Sequence, residues 1–140
     1  MAINDEGEIR TLLAQPRRIA VVGASPNPAR DSNGVLGFLV AQGHDVIAVN
    51  PGHAGGTIHG APVVASLSEI RPPAEIVDVF RNSEAAGEAV DDAIAHGAKA
   101  VWLQLGVINP AAAARAEAAG LVVVMDRCPK IEIPRLGLLR

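Results

Sequence analysis

The sequence predicts an α/β fold: a doubly wound, parallel, five-stranded sheet in a single domain. Three observations carry this reading. Five short apolar runs, rich in Val, Ile, Leu and Ala, recur along the 140 residues. They are nearly continuous rather than alternating, the pattern of parallel strands covered on both faces. Helical stretches closed by glycine lie between them, so the chain reads as βαβ units with right-handed crossovers.

Each element follows from local signals. The stretch from Asp5 to Gln15 is expected to form a helix outside the sheet, making residues 1–16 a helical extension of a domain that spans 1–140. Ile19–Val22 is the first strand and breaks at Gly23. A polar loop with Pro26 and Pro28 leads to a helix from about Asn33 to Gln42, with Val35, Leu36, Leu39 and Val40 on one side, Ser32 as its cap and Gly43 past its end. Val46–Val49 is the second strand, closed by the turn signal Asn50-Pro51-Gly52. A short helical turn near Ser66–Ile70 precedes Pro72-Pro73, and Ile76–Val79 is the third strand. Ser83 is expected to cap the next helix, whose apolar positions include Ala86, Ala89, Val90, Ala93 and Ile94 before Gly97. Ala100–Leu103 is the fourth strand. Asn109 caps a helix with Pro110 at its first position and Gly120 beyond its end, and Leu121–Met125 is the fifth strand. The result is a Rossmann-like sheet of expected order 3-2-1-4-5. Such sheets bind ligands beyond the carboxyl ends of their strands, at the switch point.

Composition narrows the function. A formal net charge of −3 has the wrong sign for a nucleic-acid binder. Only 2% of residues are aromatic (Phe38, Phe80 and Trp102), so the core must be aliphatic. One cysteine, Cys128, excludes an internal disulfide framework. The acidic start lacks an apolar signal core and no stretch is long enough to span a membrane, so the expectation is a cytoplasmic, soluble protein.

The strand ends carry the candidate chemistry. The first strand–helix loop departs from the dinucleotide pattern G-x-G-x-x-G: Gly23 is present, but Ser25 and Pro28 occupy the other two positions. Asp45 has the spacing of a ribose ligand but lies at the start of its strand. The loop is nevertheless rich in anion-binding parts, with Ser25, Ser32 and the guanidinium of Arg30. The second loop holds His53 beside Gly55-Gly56; His53 and His59 have no carboxylate or cysteine that completes a metal set. At the third strand end Phe80 and Arg81 could flank a ring and a phosphate. Gln104 and Gly106 lie where the fourth strand turns outward, and Trp102 is expected to pack on the sheet. Asp126 and Arg127 pair or cap the sheet after the fifth strand, and Cys128 reads as a small buried residue. Gly-x-Ser-x-Gly and Walker motifs are absent, and no catalytic constellation emerges.

Read together, "AVVGAS" (20–25), "VNPGHAGGTIHGAPV" (49–63), "VDVFR" (77–81), "AVWLQLGVIN" (100–109) and "MDRCPKIEIPRL" (125–136) resemble the CoA-binding domain family, in particular its small stand-alone members. The outline is also similar to the N-terminal domain of the succinyl-CoA synthetase α subunit, where a "PGKGG"-type loop carries a lysine; His53 takes that position here. The resemblance implies coenzyme A, or an acyl-CoA, as ligand. Gly23, Ala24 and Ser25 would lie against its phosphates, with side-chain contacts from Arg30 and Ser32. Asn50, Pro51 and His53 would border the nucleotide, and Val79, Phe80 and Arg81 would flank it. It implies a non-catalytic binding module, since the catalytic phosphohistidine of the synthetase belongs to a second domain. Two alternatives stand beside it: a small NAD(P)-dependent oxidoreductase, and the CoA-binding subunit of an acyl-CoA synthetase whose catalytic partner is a separate chain. The expected partner is therefore a small molecule, not nucleic acid or membrane, with an oligomer or partner subunit possible.

Overall fold

The computed structural model describes residues 3–140. The chain runs α1 (Glu6–Leu13), β1 (Arg18–Val22), α2 (Asp31–Ala41), β2 (Asp45–Val49), β3 (Thr57–Ile58), β4 (Ala61–Val64), β5 (Ile76–Val79), α3 (Ala86–His96), β6 (Ala100–Leu103), α4 (Pro110–Ala118), β7 (Val122–Met125) and α5 (Pro129–Arg135). Single 3-10 turns cover Pro51–His53 and Leu67–Glu69. No helix among the described residues is long and apolar enough to cross a membrane.

All five expected runs are strands, and the Rossmann-like kind of sheet is present. The strand count is corrected to seven, in the order β3-β4-β2-β1-β5-β6-β7. The additional pair, β3 and β4, forms a small antiparallel hairpin whose second strand pairs parallel with β2 through Ala48↔Val63 and Val49↔Val64. Its strands span two and four residues and are interrupted by Gly60 and Pro62, too little apolar run to register as strands in the sequence. The neighbour of β2 is therefore β4, whereas Ile76–Val79, expected there, pairs on the other side of β1. With β4 counted as the third parallel strand, the six parallel strands run in the order 3-2-1-4-5-6.

This order creates the site. The chain leaves β1 toward β2 and β4, then crosses back to β5. The loops after β1 and β5 thus depart in opposite senses and leave a crevice between them.

Both faces of the sheet are buried, which is why its runs are continuous. Ile9, Leu13, Val21, Leu36, Leu39, Trp102 and Ile133 pack on one face, beneath α1, α2 and α5. Val77, Val79, Val90, Ala93, Leu103 and Ala116 pack on the other, beneath α3 and α4. Trp102 is buried as expected, its indole N–H donating to the carbonyl of Arg127 at 2.9 Å.

Helix signals are met unevenly. Asn109 caps α4, accepting from the Ala112 N–H at 3.1 Å, with Pro110 at the first position. The Ser66 turn closes with a capping box to Glu69. Ser83 does not cap α3: Asn82 accepts from the Ala85 N–H at 2.8 Å, while Ser83 Oγ accepts from the Ile108 N–H at 2.9 Å and ties two loops together. Helix α5 escapes the sequence reading because Pro129 and Pro134 bracket it; Pro129 sits at its first turn, where no N–H is needed. Arg135 joins α5 to α1, binding Glu132 at 3.0 Å and Glu6 at 2.7 Å. Asn4 protects the outer edge strand, exchanging side-chain hydrogen bonds with both backbone groups of Met125 at 2.9 and 2.7 Å.

Two of the buried polar groups, Asp78 and His44, have protonation equilibria shifted by burial. Asp78, in the middle of β5, is 1% exposed and neither carboxyl oxygen has a hydrogen-bond partner among the described residues. Leu13, Ile19, Leu39, Ile76, Trp102 and Pro129 surround it at a small void. Burial pushes its carboxyl well above the usual range, so folding favours the protonated form. An unfolded aspartate releases that proton near pH ~4. The fold therefore loses stability as pH rises from there toward the folded pKa. His44 acts in the opposite direction. Its Nδ1 accepts from the Arg17 N–H at 3.0 Å, and burial, then Arg140 and Arg17, pull it down to about 4. The unfolded histidine takes up a proton near pH ~6.5. The neutral form's contribution is present above that value and is lost as pH falls toward about 4.

Two outcomes follow for urea unfolding measured from pH 4 to 8. Asp78→Val replaces an unpartnered buried carboxyl by an apolar strand former and should raise stability at pH 7 by roughly 1–3 kcal/mol. It should also remove the decline on the rising-pH side; a loss of stability at pH 7 would show that Asp78 has a stabilising partner. His44→Gln should flatten the acid limb between pH ~6.5 and ~4, and an unchanged limb would place the titrating group elsewhere.

Candidate functional site

The site begins where β1 stops. Gly23 has φ +83° and its N–H donates to the Val49 carbonyl at 3.1 Å. A Cβ at this position would run into the backbone carbonyl of Phe80. Glycine is required here both for the positive φ and for the close passage of the loop past the end of β5.

The loop that follows is held by buried side chains. Ser32 Oγ accepts from the Ser25 N–H at 3.1 Å, and Asn33 Nδ2 donates to the Ser25 carbonyl at 3.1 Å. Asn50 Nδ2 reaches across from the end of β2 to the Ala24 carbonyl at 2.7 Å. Further out, Ser25 Oγ accepts from the Asn27 N–H and Asn27 Oδ1 from the Ala29 N–H, at 3.1 and 2.9 Å. His59 of the hairpin closes the set from behind, its Nε2 lying 2.7 Å from Asn33 Oδ1. The role expected of Ser32 is thus corrected. It lies inside the first turn of α2, where Arg30 is the N-cap and makes no side-chain cap bond. Ser32 clasps the loop instead of the helix.

These contacts leave an open end. The N–H groups of Ala24, Asp31 and Ser32 find no acceptor among the described residues. All three residues line a cleft of about 980 Å³. The N-terminus of α2 therefore presents unsatisfied donors and the positive end of its dipole to that space. Arg30 and Lys130 add two cationic side chains to the lining against the one carboxylate of Asp31. A Cβ on Gly34 would stand 3.9 Å from Lys130 Nζ, so the ammonium lies beside the first turn of α2.

The cleft follows the carboxyl edge of the sheet. Gly23, Ala24, Ser25, Arg30, Ser32, Asn50 and Phe80 line it together, as the sequence grouped them. Four other candidates stand apart. Val79 is fully buried in the α3 face of the core and offers the cleft no side chain. Pro51 and His53 are exposed on their 3-10 turn and do not line it. Arg81 is exposed, its stem close to Gly23.

Sequence reading missed the far wall. Leu105 and Val107 after β6, and Lys130 and Ile131 of α5, complete the cleft beside Gln104 and Cys128. Gln104 and Cys128 were visible as strand-end residues, but the α5 contribution carried no signal once the proline-bracketed segment read as loop. Asp126 shapes this wall: with φ +60°, its carboxylate accepts from the Gly106 N–H at 2.7 Å and holds the β6 loop. Among the described residues no group of three or more His, Cys, Asp and Glu side chains is placed to hold a metal ion.

Known proteins share this frame. The chain is 36% identical over 129 residues to the uncharacterized protein YneT of Bacillus subtilis (strain 168), covering 90% of this chain and 92% of that protein. A hypothetical protein from Pyrococcus horikoshii OT3 superposes with a TM-score of 0.88 at 37% identity, covering 97% of this chain and 96% of the other. A structure from Thermus thermophilus gives the same TM-score, 0.88, at 37% identity, covering 94% and 98%. Residues 17–134, which include every strand of the sheet and the whole cleft, match one family of known domains: the chain belongs to the CoA binding domain family.

Proposed function

We propose that the cleft binds coenzyme A or an acyl-CoA and that the protein acts as a non-catalytic carrier or sensor of that ligand. The observation that carries this reading is the buttressed loop Gly23–Ser25 with the open N-terminus of α2. A member of a CoA-binding family has, at the switch point, unsatisfied N–H donors and two cations around one crevice. The pyrophosphate lies across Ala24 and the first turn of α2, with Arg30 and Lys130 on its oxygens. Phe80 stacks on the adenine side, Asn50 borders the nucleotide from the cleft wall, and Pro51, His53 and Arg81 border it from the outside of the cleft. Val79 serves only through its place in β5. The chain's own residues bind, orient and screen the ligand; no nucleophile–base pair is needed for that role.

The reading separates from a nicotinamide enzyme by ligand choice. CoA at about 100 times its dissociation constant should add roughly 2.7 kcal/mol of stability, a melting shift of roughly 2–8 °C for a domain of this size. NAD, NADP and ATP should give smaller shifts in the same assay, and an equal or larger shift with NAD would reject the assignment.

Charge around the loop gives the second test. Arg30→Ala should weaken CoA binding by about 1.5–3 kcal/mol, the cost of a charge-assisted hydrogen bond, with the melting temperature of the unliganded protein unchanged. Asp31→Asn should do the reverse and tighten binding, most at low salt, because it removes the one negative side chain from the phosphate end. Calorimetry showing both variants at parental affinity would remove the phosphates from this loop.

A further inference from the structure

The cleft is two-sided in its chemistry. Its β1 end is polar and cationic. Along the loop after β6 the lining is apolar: Leu105 is 58% exposed and Val107 is buried, and Ile131 of α5, 53% exposed, lines the cleft with them, while the neighbouring Lys130 reaches back to the first turn of α2. Of the four large apolar side chains with high exposure among the described residues, these two line the one cleft. Water contacts apolar surface here that a ligand running the length of the cleft would cover.

Between the two ends stands Gln104. It is 6% exposed, it lines the cleft, and its Oε1 is buried with no hydrogen-bond partner among the described residues. A buried acceptor without a donor is costly unless something supplies one. Gln104 ends β6, two strands over from β1, about 10 Å at ordinary strand spacing. That distance is too far for the pyrophosphate on the α2 end. It suits the amide groups of a pantetheine arm.

We infer that the physiological occupant is an apolar acyl thioester of CoA rather than free CoA, with a pantetheine amide hydrogen-bonded to the side-chain amide of Gln104 and the acyl chain lying on Leu105, Val107 and Ile131. This rests on the CoA reading above and adds to it the class of acyl group. The arm crosses from the cationic end past Gln104, and the thioester places its hydrocarbon on the apolar wall. A charged acyl group, such as a dicarboxylic half-thioester, would put a carboxylate against that wall and is selected against.

The test is a calorimetric series on the full chain with adenosine 3′,5′-bisphosphate, CoA, acetyl-CoA, butyryl-CoA, hexanoyl-CoA and succinyl-CoA. Each fully buried methylene contributes up to about fourfold in affinity. Across a half-open wall, hexanoyl-CoA should bind at least roughly tenfold more tightly than acetyl-CoA, and succinyl-CoA no better than acetyl-CoA. Leu105→Ser/Ile131→Ser, on exposed positions that leave the core intact, should abolish that gradient while CoA itself stays within about twofold. Gln104→Leu should weaken CoA and every acyl-CoA roughly fivefold, the worth of one hydrogen bond, and leave the bisphosphate, which lacks the arm, unchanged. A flat acyl series with CoA still bound overturns the acyl assignment alone. So does a double variant that keeps the gradient but changes the oligomeric state in sedimentation, which would make the apolar wall a contact with a second copy. If CoA and the bisphosphate both fail to bind, the CoA reading falls and takes this inference with it.

Discussion

The close passage of the β1 loop over the end of β5 is the constraint on which the rest of the site depends. At Gly23 the backbone turns through a positive φ with no room for a Cβ against the Phe80 carbonyl. That contact sets how near the two strand ends stand and hence the width of the crevice. It also aims Ala24 and Ser25 into the space that α2 faces. Any other residue would have to widen the switch point, and the loop clasps of Ser32, Asn33 and Asn50 would be drawn out of hydrogen-bonding distance together.

Those clasps divide the backbone groups of the loop into two sets. The carbonyls of Ala24 and Ser25 and the Ser25 N–H are taken up by side chains that are themselves buried or half-buried. The Ala24 N–H, like those of Asp31 and Ser32 at the N-terminus of α2, has no acceptor among the described residues. A rigid frame with unused donors is preorganised: an anion of the kind proposed above would meet its hydrogen-bonding partners without ordering a loop first. The small positive excess of the lining, two cations against Asp31, sits at this end alone. Leu105, Val107 and Ile131 add an aliphatic stretch to the same lining, the division of chemistry on which the proposed acyl-CoA reading rests.

The fold tolerates two unusual polar groups. Burial among apolar neighbours favours the neutral form of Asp78 in β5, and burial, then Arg140 and Arg17, favour the neutral form of His44 just before β2. They change stability in opposite directions as pH rises. Neither lines the cleft. The energetics of the fold can therefore vary with pH without a titrating group of the core touching the ligand site.

Much of this was written in the sequence, because its causes are local. Continuous apolar runs mark strands that are buried twice over, and Gly23, Asn109 and Pro110 mark junctions that only certain backbone angles or caps allow. The strand-end rule then located Ser25, Arg30, Asn50 and Phe80 on one edge, and the structure places all four in one cleft. What needed tertiary structure was whatever depends on partners distant in the chain. The β3–β4 hairpin is a sheet element only because β2 offers it an edge. Helix α5 is stabilised by Glu6, 129 residues away from Arg135, and supplies Lys130 and Ile131 to the cleft from a segment whose prolines hide it. Ser32 could be read as a cap from its position; whether its hydroxyl turned to the helix or to Ser25 was decided by how the loop folds back over it. The exclusion of Val79, likewise, came from which face of β5 meets α3. Periodicity says that a strand is buried, but packing on each side decides which of its residues a ligand can reach.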